Sequence, residues 1–238
     1  MTGTDADQKH WAEVAEDWIT WARAPGHDAF WSYAQAFHDF VGEGSGEALD
    51  VGCGEGRVSR LLKELGYRVT AADPVARFIE AARELNSADH YEVAPAAALP
   101  FMDQSFDLAV AYNMLMDVED VPAAAKEIRR VLKPTGTLVI SIVHPFSDRG
   151  HFAGPEADAP FVVPGSYFGR ERFEGVEEKN GLKMHFAGWS QPLEAYMAAL
   201  SEAGLAVTAI KEPIPESTRK RWRRIPLFLW LKARPLPA

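Results

Sequence analysis

The segment 50–56, DVGCGEG, is the densest group of residues whose types and spacing can serve chemistry. An apolar run from Glu47 precedes its three alternating glycines, and a helical apolar pattern from Val58 follows them. Glycines between a strand and a helix let the backbone adopt positive φ and approach a ligand closely, and the helix start offers unpaired N–H groups. The segment therefore predicts a ligand site at the carboxyl end of a strand, with a tight turn that binds nothing as the alternative.

The glycine spacing excludes two nucleotide-binding motifs. A dinucleotide fingerprint needs a third glycine in the sixth place, where this chain has Arg57, and a P-loop needs a Gly-Lys-Ser/Thr ending that does not follow. Cys53 is the one cysteine of the sequence. A disulfide framework and a zinc site built on cysteine pairs are therefore excluded, and no metal is predicted.

Strand-like and helix-like segments alternate around this loop, which predicts a parallel sheet with right-handed crossovers. The predicted strands are 47–52, 67–72, 90–94, 106–111, 137–143, 205–211 and 225–232. The predicted helices are 6–23, 28–41, 58–65, 75–85, 122–132 and 192–203. Residues 133–136 are predicted to form a turn. Between 144 and 189 the alternation stops in a stretch rich in proline, glycine and aromatic residues, which is typical of a functional loop or of one that hides short elements.

The composition limits the class of protein. A chain of 238 residues that is 47% apolar suits one globular domain, as a monomer or a homodimer. No apolar run reaches the roughly 18 residues that span a bilayer, and the polar residues 1–8 do not fit a signal peptide, so a cytoplasmic protein is expected. The net charge of −9 disfavours nucleic acid as a partner. The basic run 219–224 is predicted to be a solvated loop, with an RNA contact or a handle for an anionic substrate as alternatives.

Four motifs in order resemble those of the class I S-adenosylmethionine-dependent methyltransferases. They are the glycine segment 50–56, Asp73 at the end of the second predicted strand, LPF-x-D-x-SFD at 99–107 and VLKPTG at 131–136, in which Thr135 replaces a glycine. The resemblance covers about residues 46–143. It implies a doubly wound α/β fold with a mostly parallel, seven-stranded, Rossmann-like sheet and S-adenosylmethionine as the cofactor.

The resemblance implies cofactor contacts at the strand ends. Asp50, Gly52 and Gly54, with the backbone of Cys53, would line the methionine part. Asp73 would accept from the ribose hydroxyls, since a carboxylate offers two acceptors to two donors, and a helix N-cap is the alternative role.

Further contacts to the adenine and methionine parts follow from the same resemblance. Pro95 stands where the family often has an acid that reads adenine, so backbone groups of Ala96 or Ala97 would read it, while Pro74 packs against the ring. Tyr112 and Asn113 would border the methionine.

The leading helices of related enzymes form a lid over the cofactor. Trp18, Trp21 and Arg23 lie just before a Pro-Gly break, and the resemblance implies that they enclose the cofactor, with Arg23 on its carboxylate. Core packing for the tryptophans and a surface position for the arginine are the alternatives.

The acceptor contacts are predicted in and before the irregular segment. Histidine is the natural base, and the candidates are His144, directly after the fifth predicted strand, and His185. His151, Tyr167 and Met116 are candidate substrate contacts. A structural role is the alternative for the histidines and Tyr167, and Asp117 either borders the pocket or is solvated.

These residues predict a single methyltransferase domain over 1–238, with a helical lid (1–45), a cofactor-binding core (46–143), a substrate-covering insertion (144–190) and a final helix and strand hairpin (191–238). The predicted reaction moves a methyl group to an oxygen, nitrogen or carbon of a small organic molecule by in-line displacement. Such transfer depends mainly on proximity and on the exclusion of water. The alternatives are an RNA methyltransferase and a cofactor-binding protein without methyl transfer.

Overall fold

One seven-stranded sheet organises the chain in a computed structural model that describes residues 6–216 and 220–237. In sheet order its strands are β10 (Leu205–Lys211), β11 (Phe228–Pro235), β5 (Leu132–Val143), β4 (Phe106–Tyr112), β1 (Glu47–Val51), β2 (Arg68–Asp73) and β3 (His90–Val93). β11 runs antiparallel to both of its neighbours, and the other pairs are parallel. The predicted doubly wound, mostly parallel fold is confirmed.

Helices cover both faces of this sheet. They are α1 (Ala6–Glu13), α2 (Ala15–Arg23), α3 (Ala34–Val41), α4 (Arg57–Glu64), α5 (Ala76–Glu84), α6 (Val121–Val131) and α7 (Leu193–Glu202). One apolar cluster packs α6 and α7 on the sheet around Ile128 and Leu200. Another packs α3 and α4 on the opposite face around Phe37 and Leu62. Because both faces are covered, the central strands are apolar throughout rather than alternating.

The stretch between β5 and α7 contains two hairpins. Short strands β6 (His151–Phe152) and β7 (Phe161–Val162) pair first, and then β8 (Glu171–Lys179) and β9 (Leu182–Ser190) form an antiparallel hairpin. The sequence did not predict these strands, because proline and glycine interrupt the first pair and charged residues dominate β8. The second hairpin contacts α1 and α2.

Several predicted boundaries are corrected. The predicted helix 6–23 is divided at Val14 into α1 and α2. In the predicted helix 28–41, a 3₁₀ turn (Ala29–Ser32) precedes the α-helix α3. Strand β5 already begins at Leu132, opposite Phe106, but the next pairs start at Thr137, so residues 133–136 bulge out of the ladder where a turn was predicted.

The last strand also begins later than predicted and extends further. It starts at Phe228 because Pro226 cannot donate to a ladder, and it continues to Pro235 opposite Leu205. No described helix is long and apolar enough to cross a membrane.

Candidate cofactor and acceptor site

A cavity of about 1260 Å³ opens at the carboxyl ends of β1, β2 and β4. The strand order reverses between β1 and β4, which is where open α/β sheets place their ligands. The β8–β9 hairpin and α2 close the cavity from above. The volume exceeds the roughly 300–1,000 Å³ of a site for one small ligand.

The glycine loop forms the floor of this cavity. Gly52 and Gly54 have φ of +68° and +54°, in the left-handed region that favours glycine. A Cβ on Gly52 would lie 2.7 Å from the Met114 Cβ, and one on Gly54 would lie 3.3 Å from the Trp18 Nε1. Gly52 thus permits close packing, while Gly54 leaves open the gap between the loop and α2. Cys53, between them, is buried and lines the cavity.

Asp73 connects the end of β2 to the glycine loop. Its Oδ2 accepts from the Gly54 N–H and its Oδ1 from the Val75 N–H, each at 2.9 Å. Burial raises the pKa of this 5%-exposed carboxyl to about 6. The predicted N-cap role is corrected to a turn, because Val75 itself precedes α5. Each oxygen keeps a lone pair free for another donor.

Asp50 is a buried carboxyl without an ion-pair partner in the described part of the chain. Its Oδ2 accepts from the Ser59 hydroxyl at 2.6 Å. Burial raises its pKa to about 7, and the charge of Asp73 adds to that rise. A cationic ligand group next to Asp50 would lower this pKa and favour the ionised form.

These raised pKa values predict that the ligand-free protein loses stability as the pH rises. Asp50 and Asp73 have pKa values of about 7 and about 6 in the folded protein, but of about 3.8 in the unfolded chain. The stabilisation is complete below pH 3.8 and disappears as the pH passes through the folded values. Asp50→Asn is therefore expected to raise the free energy of unfolding at about pH 8 by on the order of 3 kcal/mol and to flatten its pH dependence.

Urea unfolding at about pH 5 and pH 8 measures this effect. Asp158→Asn is the matched control, because the same substitution is made there at an exposed aspartate. Parallel pH profiles for Asp50→Asn and the wild type would contradict the assignment.

Aromatic rings from α2 and the hairpin meet above the glycine loop. Trp18 lies edge-on to Trp11 at 5.7 Å and to Phe186 of β9 at 6.1 Å, and Trp21 lies 6.2 Å from the same phenylalanine. All four rings line the cavity. The structure thus places Trp18 and Trp21 in the wall of the cavity, and an aromatic enclosure of this kind excludes water from a cationic ligand.

Arg57 is a cavity residue that sequence reasoning missed. Its guanidinium lies 5.0 Å from the Trp18 ring and 4.8 Å from the Phe30 ring, and it pairs with Asp28 at 2.8 Å. No other lysine or arginine lines the cavity among residues 6–216 and 220–237, leaving aside the side chain of Lys220. Its position directly after the glycine segment was the available signal.

Arg23 is corrected, because it does not line the cavity. Its guanidinium pairs with Glu55 at 3.3 Å and with Glu84 at 3.5 Å, and it donates to the Ala81 carbonyl. Glu55 is almost fully buried and requires cationic partners, which Arg23 and Arg60 provide.

The remaining predicted cofactor residues line the cavity together. These are Asp50, Gly52, Cys53, Gly54, Asp73, Pro74, Ala96, Ala97, Tyr112 and Asn113. Asn113 has φ of +50°, and its side-chain oxygen accepts from the Ser141 hydroxyl at 2.7 Å. Burial raises the pKa of Tyr112, which keeps its phenol neutral.

Four predicted acceptor contacts do not line the cavity and are corrected. The His144 ring pairs with Glu212 at 3.0 Å. His185 is exposed, and its backbone carbonyl forms a hydrogen bond with the His10 ring. His151 is exposed on β6, and the Tyr167 hydroxyl accepts from the Leu193 N–H. Met116 does line the cavity, as predicted.

Asp117 lines the cavity, which agrees with the first of the two alternatives predicted for it. Burial raises its pKa well above the ordinary value; the charges of Asp7 and Asp148 raise it further, and Arg172 opposes them. A Cβ on Gly188 of β9 would lie 2.7 Å from its Oδ1, so that glycine makes room for the carboxylate.

The basic run lies against the irregular segment. Arg221 donates to the Gly154 carbonyl, Arg223 to the Pro215 carbonyl and Arg224 to the Ala159 carbonyl. Arg219 lies outside the described residues. The described arginines thus hold loops together, and Trp222 between them lines the cavity.

Comparisons with known proteins agree with this geometry. Residues 49–140 match the family model of a methyltransferase domain. A structure of an S-adenosylmethionine-dependent methyltransferase from Mesorhizobium loti superposes with a TM-score of 0.63 at 26% identity, covering 87% of this chain and 98% of that one. These similarities support the predicted class of enzyme and the predicted cofactor.

Other similarities are narrower. The malonyl-acyl-carrier protein O-methyltransferase of Serratia marcescens is 35% identical over 95 residues, which are 40% of this chain and 37% of that protein. The chain thus matches little more than a third of the length of this curated relative. The cyclase SpnF has the same fold, with a TM-score of 0.64 at 17% identity over 97% of this chain and 95% of that one.

Proposed function

We propose that the chain transfers a methyl group from S-adenosylmethionine to a small organic acceptor held beneath the β8–β9 hairpin. The observation that carries the proposal is one continuous cavity that extends from the glycine loop to this hairpin. In this proposal residues 1–45 act as the lid, 46–143 bind the cofactor, 144–190 cover the acceptor and 191–238 complete the sheet.

The residues of the floor fit the cofactor. Asp73 has lone pairs left for two ribose hydroxyls, and Asp50 is a buried carboxyl that an ammonium group would stabilise. Gly54 leaves the backbone open to close approach. The bound cofactor supplies an activated methyl group on a sulfonium sulfur.

The other residues of the cavity contribute by positioning the acceptor and by excluding water from the site. Trp11, Trp18, Trp21 and Phe186 exclude water from the gap above the glycine loop. Holding the acceptor nucleophile in line with the methyl group makes the reaction effectively unimolecular and lowers its entropic cost.

The methyl acceptor named for the curated relatives is not assigned to this chain. Their names specify a malonyl group on a carrier protein, but the match with the Serratia protein covers 40% of this chain. The cyclase SpnF shows that the fold alone does not imply methyl transfer either.

Calorimetric titration with S-adenosylmethionine and S-adenosylhomocysteine is the first test. Micromolar binding of both is expected, followed by acceptor-dependent formation of S-adenosylhomocysteine in a panel of small phenols, amines and carboxylates. Binding without turnover across the panel would instead support a non-methylating protein, and no binding to the folded protein would contradict the cofactor site.

A further inference from the structure

The two halves of the cavity differ in the cations that line them. The floor around the glycine loop has Arg57, paired with Asp28. The other half, here called the acceptor half, is formed by residues 116–120, by the cavity-lining residues of the β8–β9 hairpin, and by Ser147, Asp148, Gly150, Trp222, Leu227 and Phe228. Its charged lining residues are Asp117, Glu119, Asp120, Asp148 and Glu177. Within the described ranges, excluding the side chain of Lys220, no lysine or arginine lines that half.

Cations near the acceptor half are engaged elsewhere. Arg172 pairs with Asp7, which also accepts from the Trp189 indole N–H at 2.8 Å. Arg149 pairs with Glu171 at 2.7 Å and donates to backbone carbonyls. Arg170 lies over Trp189 and donates to the Val118 carbonyl. These arginines hold the hairpin in place and do not line the cavity, although from outside it the charges of Arg172 and Arg149 oppose the rise that burial causes in the pKa values of Asp117 and Asp148.

Among the lining carboxylates, Asp117 stands apart. Asp120 caps α6 by accepting from the Ala123 N–H at 2.9 Å, burial raises the pKa of Asp148 against the lowering effect of the positive charge of Arg149, and Glu119 and Glu177 are exposed to solvent. In the described part of the chain, no hydrogen bond or ion pair engages the Asp117 carboxylate, although it is half-buried. An enclosed carboxylate without a partner is costly unless a ligand provides one.

We propose that the methyl acceptor is an amine, which enters as its ammonium form and gives its proton to Asp117 before transfer. This inference rests on the proposed function. A carboxylate acceptor would meet five acidic side chains and no lysine or arginine in the described lining of this half. An ammonium group meets attraction there, and Trp222 and Phe228 provide apolar contact for its organic body.

The proton transfer and the methyl transfer balance. An ammonium nitrogen has no lone pair, so it loses a proton to the Asp117 carboxylate and keeps the electrons of the broken N–H bond. That pair forms the nitrogen–carbon bond while the carbon–sulfur bond breaks with both electrons on sulfur. The products are an N-methylammonium and a thioether, and Asp117 releases its proton to water. Enclosure and the charges of Asp7 and Asp148 raise the pKa of Asp117, which makes this carboxylate a stronger base than an exposed one.

Three probes with one aromatic body test the acceptor class. Phenethylamine, 4-ethylphenol and 3-phenylpropanoate are titrated into the full chain saturated with S-adenosylhomocysteine at about pH 7.5. Phenethylamine is expected to bind at least about tenfold more tightly than 3-phenylpropanoate and to be methylated when S-adenosylmethionine is supplied. Equal or weaker binding of the amine, including none, would overturn the amine assignment. Failure of S-adenosylhomocysteine to bind would contradict the proposed function itself.

Asp117→Asn separates the carboxylate from the general charge of the protein. We expect phenethylamine affinity to fall about tenfold or more and turnover to fall further, while the affinity for S-adenosylhomocysteine stays at its wild-type value. Glu174→Gln is the control, because Glu174 is exposed on β8 of the same hairpin and does not line the cavity. Wild-type amine affinity in Asp117→Asn would overturn the role of this residue.

Discussion

Gly54→Val is expected to abolish binding of S-adenosylhomocysteine, with a loss of at least about 100-fold in affinity. At φ of +54° a β-branched residue is strained, and its side chain would project into the gap towards the Trp18 Nε1, 3.3 Å from the Cβ. That gap separates the glycine loop from α2. The substitution would therefore fill the space that we assign to the cofactor.

The control for this variant is Gly204→Val. Gly204 also has positive φ, +74°, but a Cβ there meets nothing within 4 Å and lies outside the cavity. Both variants carry a backbone strain of roughly 1–3 kcal/mol, so both should melt at lower temperature. Calorimetry then isolates the effect of the blocked gap. Affinities within about threefold of each other in the two variants would contradict the assignment of the loop.

The sheet and the floor of the site could be predicted from local sequence. Alternating strand-like and helix-like segments determine a parallel sheet, and a sheet of this kind brings the residues after its strands to one edge. Asp50, Gly54 and Asp73 stand at those strand ends, so the structure brings them together where the sequence predicts. No long-range information is needed for that step.

The enclosing residues could not be predicted in the same way. Arg57 faces the cavity because Trp18, Phe30 and Asp28 from the lid region surround its guanidinium. Asp117 fits beside β9 because residue 188 is glycine. Such contacts depend on segments that are distant in sequence, and helical or strand periodicity says nothing about them.

The histidine predictions were wrong for a related reason. His144 does follow β5 at its carboxyl end, but its ring turns to Glu212, which follows β10, and its N–H donates to the Leu227 carbonyl. A strand end fixes the position of a backbone and not the direction of a side chain. The partner of the His144 ring, Glu212, comes from the edge of the sheet where β10 and β11 pair antiparallel.

Asp73→Asn is expected to weaken binding of S-adenosylhomocysteine by about 100-fold, because hydrogen bonds to a charged acceptor contribute roughly 1.5–3 kcal/mol each. The carboxylate accepts from the Gly54 and Val75 N–H groups, so the variant also loosens the loop. Loss of affinity alone therefore does not separate a ligand contact from a structural one.

A change in the ligand makes that separation. The wild type should bind S-adenosylhomocysteine about tenfold or more tightly than its 2′-deoxy analogue, since removal of the hydroxyl takes a donor from Asp73. In Asp73→Asn this preference should largely vanish, whereas a loosened loop would weaken both ligands alike and leave their ratio unchanged. Calorimetry of the two ligands with the two proteins gives the coupling free energy between Asp73 and the 2′-hydroxyl. A preference retained in full by Asp73→Asn would mean that Asp73 only shapes the loop and that another group binds the ribose.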